Sequence, residues 1–151
     1  LGMQADSLGL SAKIGGKFDA KIKFEVGFIG TPSDLSVVSY PLFKSVLSIF
    51  IEQWPVIWAN ADIYWRDYYK SASAPGAMPH PYSRYSVPWI SYLSAPLVEG
   101  FKPPPDIQAE RTPGGGLIMI ATENRPDPTN SEEMQRSRKI AEIMIARAGD
   151  P

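Results

Sequence analysis

The chain has 151 residues, of which 44% are hydrophobic, so it can bury one core but is too short for two comfortable domains. Fifteen Lys and Arg residues nearly balance sixteen Asp and Glu residues, which leaves no overall basic field for direct binding of nucleic acid. The sequence has no cysteine, which excludes disulfides, thiolate catalysis and Cys-based zinc sites and favours a reducing compartment.

The start of the chain and its longest apolar run both favour a cytoplasmic protein that does not enter a membrane. The opening "LGMQADS" lacks the basic and apolar regions of a signal peptide, and Leu1 and Gly2 before Met3 look like a cloning remnant. The apolar run from Pro41 to Ile51 falls well below the ~20 residues that a membrane-spanning helix needs. We therefore expect residues 3–151 to form a single domain in the cytoplasm.

The first predicted elements are two strands. Apolar residues alternate with polar or small ones over residues 8–14 and again over residues 18–28, and a period of two predicts strands. The pair Gly15-Gly16 between the two runs is typical of a tight hairpin turn. A phosphate-binding loop would instead need a lysine followed by Ser or Thr and then a helix, whereas Lys17 is followed by a strand.

A helix and a strand are predicted next. The helix is expected to run from about Pro41 to Gln53 and to be buried, because apolar residues recur at helical spacing. These residues are Leu42, Phe43, Val46, Leu47, Ile49, Phe50 and Ile51. The following "WPVIWAN" is β-branched and aromatic, which predicts a strand. We expect Asn60 or Asp62 to cap a short helix that continues to Tyr69.

The segment between Lys70 and Pro88 is rich in proline and serine and predicts a long loop or flap, after which "VPWISYL" predicts another strand. The prolines at 103–105 are expected to form a short stiff connector. In "DIQAERTPGGGLIMIATE" an alternating arm, a Pro-Gly turn and an apolar arm predict a hairpin whose second strand is buried on both faces.

The last element is predicted to be an amphipathic helix. Thr129 with Glu132, or Asn130 with Glu133, makes a capping-box pair at its start. Its apolar stripe consists of Met134, Ile140, Ala141, Met144 and Ile145. The whole pattern favours an α+β domain with a mainly antiparallel sheet, two principal helices and one short helix, because strands and crossover helices do not alternate.

Few residues in the sequence are arranged for catalysis. His80 is the single histidine and is flanked by prolines, so we interpret it as a surface loop residue. The nucleophile elbow G-x-S-x-G is absent, which argues against an α/β-hydrolase. Glu110 and Glu123 could face each other across the last hairpin as an acid/base pair, but solvated charges at a strand end are the simpler interpretation. We expect neither a metal nor a cofactor.

The region from residue 62 to residue 85 combines aromatic and charged side chains in the manner of a protein interface, where Tyr, Trp and Arg are enriched. We expect this binding face to include Asp62, Tyr64, Trp65, Asp67, Tyr68, Tyr69, His80, Tyr82, Arg84 and Tyr85. Some aromatic residues of this region and of the strand that follows it are expected to lie in the core instead, above all Trp89. A nucleic-acid platform would use the same rings, but between Glu52 and Asp127 eight acids face six bases, which disfavours phosphate binding.

The chain from Val87 to its end resembles the bacterial polymorphic-toxin immunity proteins grouped as immunity protein family 52. The resemblance rests on "PWISYLSAPL", on "ERTPGGGLIMIATE" and on the "DPTN" entry into the last helix. The earlier order of "FEVGF", helix and "WPVIWANAD" is also similar to the family. Its members are longer at the N-terminus, which raises the expectation that this chain is truncated.

The resemblance implies a non-enzymatic protein that neutralises a secreted toxin, in particular an effector of type VI secretion with a restriction-endonuclease-like nuclease domain. It does not supply functional residues position by position. Two alternatives from other classes stay open at this point. One is a small hydrolase that uses His80 with a nearby Ser or carboxylate, and the other is an oligomeric scaffold module.

Overall fold

The computed structural model describes residues 7–14, 20–27, 39–64, 86–127 and 129–149. In chain order the elements are strand β1 Ser7–Ile14, strand β2 Ala20–Gly27, helix α1 Tyr40–Gln53, strand β3 Val56–Tyr64, strand β4 Ser86–Leu93, a 3-10 helix Ala95–Val98, strand β5 Gln108–Arg111, strand β6 Leu117–Ile120 and helix α2 Ser131–Ala148.

The described strands form one six-stranded sheet in the order β2-β1-β3-β4-β6-β5. Every neighbouring pair is antiparallel, so the expected α+β class with a mainly antiparallel sheet is confirmed. β1 and β2 pair from Ser7↔Gly27 to Ile14↔Ala20, as the two alternating runs predict. The turn predicted at Gly15-Gly16 lies outside the described residues.

Helix α1 covers one face of the sheet. Residues that pair directly across antiparallel strands share a face, and Tyr92, Ile118 and Glu110 are paired in this way across β4, β6 and β5. The ion pair between Lys44 of α1 and Glu110 therefore places the helix on this face. The ring of Phe43, also on α1, packs against buried Trp89 of β4 with ring centroids 5.6 Å apart.

Helix α2 covers the opposite face. The residues of β4 and β6 that point there include Ser91, Leu93 and Met119, and all three are fully buried. The main packing partner of α2 is β4. Four of the five residues predicted for its apolar stripe are buried, and the fifth, Ile145, is half-buried. The central strands are thus enclosed between two helices, and β6 is buried on both faces as predicted.

The three glycines before β6 serve the hairpin that the sequence predicts. The Gly115 amide donates to the Thr112 carbonyl and the Thr112 amide donates to the Gly116 carbonyl, which closes a tight turn. Gly115 has φ of 81°, a conformation that favours glycine. A β-carbon at Gly116 would lie 2.5 Å from the ring of Tyr92 and 2.8 Å from the carbonyl of Leu93. Two of the glycines therefore answer geometric demands of the hairpin.

The prediction of a short helix that starts at Asn60 or Asp62 is wrong for the part that the structure describes, because this part is strand. Asn60 and Asp62, expected to cap that helix, lie inside β3 and pair with Ser91 and Pro88 of β4. The β-branched and aromatic run therefore continues as strand, since a neighbouring strand on each side satisfies its backbone. Residues 65–70 lie outside the described residues, and among the described ones a short 3-10 helix follows β4.

The predicted bounds of α1 are close to the observed ones, but its predicted burial is wrong on one side. Phe43 and Leu47 are the buried members of the apolar set. Leu42 is 46% exposed and Ile49 is 56% exposed. The helix packs on the sheet by one face only, so residues on its far side remain in contact with solvent although they are apolar.

The start of α2 is fixed by a side-chain network. Asn130 is the N-cap, and its side chain accepts hydrogen bonds from the amides of Glu132 and Glu133. The carboxylate of buried Glu133 does not return to the cap residue. It accepts instead from the Thr122 hydroxyl at 3.2 Å and from the Asp127 amide at 2.9 Å, which anchors the loop before the helix.

Candidate functional site

The binding face predicted for residues 62–85 falls almost entirely outside the described residues. Asp62 is half-buried within β3, and Tyr64 ends that strand opposite Ser86 of β4. Tyr64 and Ser86 therefore lie side by side at one end of β3 and β4. Outside the described residues lie Trp65, Asp67, Tyr68, Tyr69, His80, Tyr82, Arg84 and Tyr85. Their assignment to an interface stays a prediction.

Two apolar residues of α1 and its C-cap residue are exposed, and we call these three the α1 stripe: Leu42, Ile49 and Trp54. Leu42 and Ile49 are seven residues apart and therefore share one side of the helix, where Val46 between them is half-buried against the core. Leu42, Ile49 and Trp54 are 46%, 56% and 42% exposed. The Trp54 ring packs on Phe50 with centroids 5.2 Å apart, so it is held in place at the helix end.

A cleft of about 160 Å³ lies between α1 and the β5–β6 turn, and we call it the α1–hairpin cleft. Ile51, Ile118 and Pro113 supply its apolar lining. Glu52 and Glu110 contribute carboxylates to the same cleft. No residue of the α1 stripe lines this cleft, whose helix residues Lys44, Ser48 and Ile51 lie on another side of α1.

Ion pairing and hydrogen bonding fix one wall of this cleft. The Lys44 ammonium lies 2.7 Å and 2.6 Å from the two carboxylate oxygens of Glu110, and this pairing raises the pKa of Lys44. Lys44 also lies over the ring of Tyr40, 5.5 Å from its centroid. Burial raises the pKa of the Tyr40 hydroxyl, although the neighbouring Lys44 opposes that rise. The cluster ties the first turn of α1 to the edge strand β5.

The β5–β6 turn is held by Arg111, which also lines the α1–hairpin cleft. Its two terminal guanidinium nitrogens donate to the carbonyls of Gly115 and Phe101, each at 3.2 Å. Inside the sheet, burial raises the pKa of Tyr92, while a hydrogen bond with Thr112 lowers it by less. The wall of the cleft formed by the hairpin is therefore rigidly placed.

A second, more open cleft of about 370 Å³ lies where β6 meets α2. Its lining includes Glu123, which accepts a hydrogen bond from Gln108 at 2.6 Å, and Asp106, whose pKa is lowered by Lys139. Glu110 pairs with Lys44, so Glu110 and Glu123 have separate partners. This arrangement favours the interpretation of both as strand-end charges over an acid/base pair.

Within the described ranges, no group of three or more histidine, aspartate and glutamate residues is placed to hold a metal ion. Within the same part of the chain, no helix has both the length and the apolar character that crossing a membrane requires. Neither finding bears on residues 65–85, where His80 lies.

Sequence reasoning missed the α1 stripe as a surface, although a signal for it was available. The apolar residues of α1 extend around more of the helix than one packing face covers, so part of them must stay exposed. The chain offers two principal helices and one sheet in its described part, which gives α1 one packing partner and leaves its other side uncovered.

Comparison of the chain with protein-family models, with curated proteins and with solved structures finds no match.

Proposed function

We propose that this protein is a bacterial immunity protein that binds and neutralises a secreted nuclease toxin, an effector of type VI secretion, in the cytoplasm of the cell that makes both. The protein acts as an inhibitor by forming a complex and catalyses no reaction itself. The partner is the nuclease domain of the effector, with the restriction-endonuclease-like fold that the family resemblance implies.

The observation that carries this proposal is the α1 stripe. Leu42, Ile49 and Trp54 keep apolar area in contact with water, which costs free energy of solvation in the free protein. Exposed apolar patches bordered by polar residues mark interaction surfaces more often than isolated apolar residues do. Tryptophan is also among the residue types that dominate binding energy at protein interfaces.

The architecture behind the stripe also supports a binding role. α1 is tied to β5 by Lys44 and to the core by Phe43 and Leu47, so its outward side chains start from a fixed backbone. A preformed surface loses little conformational entropy on association, which favours tight inhibition. The sequence resemblance over residues 87–151 supports the identity of the partner.

The experiment that tests the proposal is co-expression with the nuclease domain of an effector from the same bacterium, followed by co-purification. We expect growth arrest by the nuclease to be relieved, and a complex of defined stoichiometry to elute in size exclusion. A catalytically inactive nuclease variant should bind equally well. Absence of both complex and relief would contradict the proposal, and hydrolytic activity that is lost in His80→Ala would favour the hydrolase alternative.

A self-associated form is the other outcome to examine. If the free protein forms a stable dimer through the α1 stripe, the concentration dependence of its size in sedimentation will reveal it. Ile49→Lys would then yield a monomer with unchanged secondary structure. That result would favour the scaffold alternative over the immunity protein.

A further inference from the structure

The register of β1 and β2 brings three lysines together on one face of the sheet. Lys13 of β1 is the direct partner of Lys21 of β2, and Lys23 follows Lys21 by two residues. Residues directly opposite each other on antiparallel strands have β-carbons about 5 Å apart, and residues two apart on one strand share a face at about 7 Å. We call Lys13, Lys21 and Lys23 the lysine cluster.

The lysine cluster belongs to the face of the sheet on which α2 packs, but it lies to the side of that helix. Lys13 is also the register partner of Trp58, which pairs with Leu93 on the α2 face. The main packing partner of α2 is β4. β1 and β2 are the second and third strands from β4, about 10 and 14 Å away, which exceeds the ~5 Å radius of a helix. The alternating pattern places the apolar residues of β1 and β2 on the opposite face, as in a sheet with one packed and one solvated face.

The charge at this end of the two strands is positive. On the same face, the nearest acids of the described strands are Glu25 and Asp62, which both pair with Gly9. Gly9 is four residues from Lys13, or ~14 Å along the strand, which exceeds the ~8 Å Debye length at physiological salt. Glu25 follows Lys23 by two residues and offsets its charge in part. The directly opposed pair of lysines has no acid at that distance on the described strands.

This pair of lysines costs stability in the free protein, and protection of the sheet edge does not explain it. Like charges directly opposite each other destabilise a pair of strands. Lysines do protect exposed sheet edges, and β2 is an edge of the described sheet. Lys13, however, lies on β1, which pairs with β2 on one side and with β3 on the other. An anionic partner that neutralises the pair in a complex accounts for both positions.

We propose that the lysine cluster binds a compact group of carboxylates on the surface of a partner protein. The cluster measures about 5 by 7 Å, which matches two or three neighbouring Asp or Glu side chains. A nucleic acid fits less well, because its phosphates continue beyond the cluster and meet an acidic surface. Residues 7–27, counted with the turn at 15–19, contain four lysines and two acids, whereas the rest of the chain has eleven bases and fourteen acids. The inference is independent of the proposed function, since α1 lies on the other face of the sheet.

The binding chemistry can be tested on the full chain with simple probes. The ¹⁵N-labelled protein is titrated with a hexaglutamate peptide blocked at both ends, with the matching hexaglutamine peptide, and with single-stranded DNA of about 20 nucleotides. We expect hexaglutamate to shift the amide signals of Lys13, Lys21 and Lys23, and hexaglutamine to leave them unchanged. A rise in salt from about 0.05 M to about 0.3 M should weaken the binding of hexaglutamate at least about three-fold. The DNA should bind more weakly than hexaglutamate.

Substitutions test the assignment to the lysine cluster. Lys21→Glu should weaken the binding of hexaglutamate at least about ten-fold. It should also raise the midpoint of urea unfolding, because it replaces a like-charged cross-strand pair by an oppositely charged one. Lys21→Gln removes the charge without reversing it and should weaken binding about three-fold. Lys102→Glu is the matched control, since it reverses an exposed lysine near β5 at the opposite edge of the sheet, and it should bind hexaglutamate as the wild type does.

Several results would overturn the inference. These are the absence of a shift with hexaglutamate, wild-type binding in the folded Lys21 variants, and an equal loss of binding in Lys102→Glu. Tighter binding of the DNA than of hexaglutamate would assign the cluster to nucleic acid instead. A lower urea midpoint in Lys21→Glu would contradict the cross-strand placement of Lys13 and Lys21 from which the inference starts.

Discussion

α1 and α2 cover opposite faces of the same sheet, and their outward sides differ. α2 presents charged and polar residues to water, including Glu132, Gln135, Arg138 and Glu142. α1 and its C-cap expose Leu42, Ile49 and Trp54 together with polar residues such as Ser45, Glu52 and Gln53. The two helices therefore differ in how much large apolar surface their outward sides expose.

The ends of the two helices differ in the same direction. α2 has Asn130 as N-cap, acidic residues in its first turn and Arg147 in its last turn, all of which stabilise a helix. α1 has no side-chain cap bond at Ser39, no acidic residue in its first turn and no basic residue in its last turn. α1 therefore depends more than α2 does on its packing against the sheet and on the ion pair of Lys44 with Glu110.

The largest contrast is expected from one substitution made in each helix. Ile140→Ala in α2 should lower the free energy of unfolding by ~2–5 kcal/mol, because Ile140 is fully buried. Ile49→Ala in α1 should change it by no more than ~0.5 kcal/mol, because Ile49 is 56% exposed. Urea unfolding of both variants measures this. Similar losses in the two would mean that the outward side of α1 is covered within the free protein.

A smaller contrast concerns the two glutamates. Glu133→Ala should cost ~1–3 kcal/mol, since it leaves the Thr122 hydroxyl and the Asp127 amide without their acceptor. Glu52→Ala should leave the free energy of unfolding nearly unchanged. Thermal unfolding followed by circular dichroism compares the two, with Glu142→Ala as an exposed control. A large loss in Glu52→Ala would assign that residue to the fold.

The helix caps provide a third contrast. Asn130→Ala should cost ~1 kcal/mol, because its side chain satisfies two amides of the first turn of α2. Ser39→Ala should cost less than ~0.3 kcal/mol, because the Ser39 side chain makes no cap bond. The midpoints of urea unfolding curves measure both losses when the dependence of the free energy of unfolding on urea concentration is unchanged. If the two losses were equal, the difference in helix ends between α1 and α2 would not hold.

The smallest effects are expected from pH. The raised pKa of Lys44 means that its pairing with Glu110 stabilises the protein fully below pH ~10 and that this contribution is lost at higher pH. Burial of the Tyr40 hydroxyl acts in the same direction. The lowered pKa of Asp106, which faces Lys139 of α2, gives a contribution present above pH ~4 and lost in acid. Exposure keeps both contributions small.

Two substitutions separate the alkaline change in stability from the acid one. Lys44→Met should remove the part of the alkaline decline that comes from Lys44 and leave the part that comes from Tyr40, and Asp106→Asn should flatten the acid decline, when the free energy of unfolding is measured from pH 3 to pH 11. The opposite assignment, or an unchanged profile in Lys44→Met, would show that α1 is not tied to β5 in solution.

Much of the fold could be predicted because its elements follow local periodicity. Three elements show this: the hairpin around Gly115, the strand at Trp58 and the apolar stripe of α2 from Met134 to Met144. In each of them the local residue pattern is enough to indicate the element. The continuation of β3 past Asn60 could not be predicted. Asparagine can either cap a helix or lie within a strand, and here its pairing with Ser91 of β4 places it in the strand. Local sequence does not contain that long-range contact.

The candidate site was less predictable for a related reason. The apolar residues of α1 indicate a helix, but the same residues serve equally for burial in the core and for burial in a complex. Only the packing of Phe43 and Leu47 on the sheet assigns Leu42 and Ile49 to the outward side. Likewise Glu110 could be assigned to an ion pair only after Lys44 of α1 was found beside it.

The most direct test of the account is the affinity of Ile49→Lys for a catalytically inactive effector nuclease domain, compared with Gln135→Lys on the outward side of α2. Both variants add one positive charge at an exposed helical position and should unfold at the wild-type temperature. We predict that Ile49→Lys binds at least ~100-fold more weakly than the wild type and that Gln135→Lys binds as the wild type does. Wild-type affinity in folded Ile49→Lys would contradict the assignment of the α1 stripe to the toxin interface.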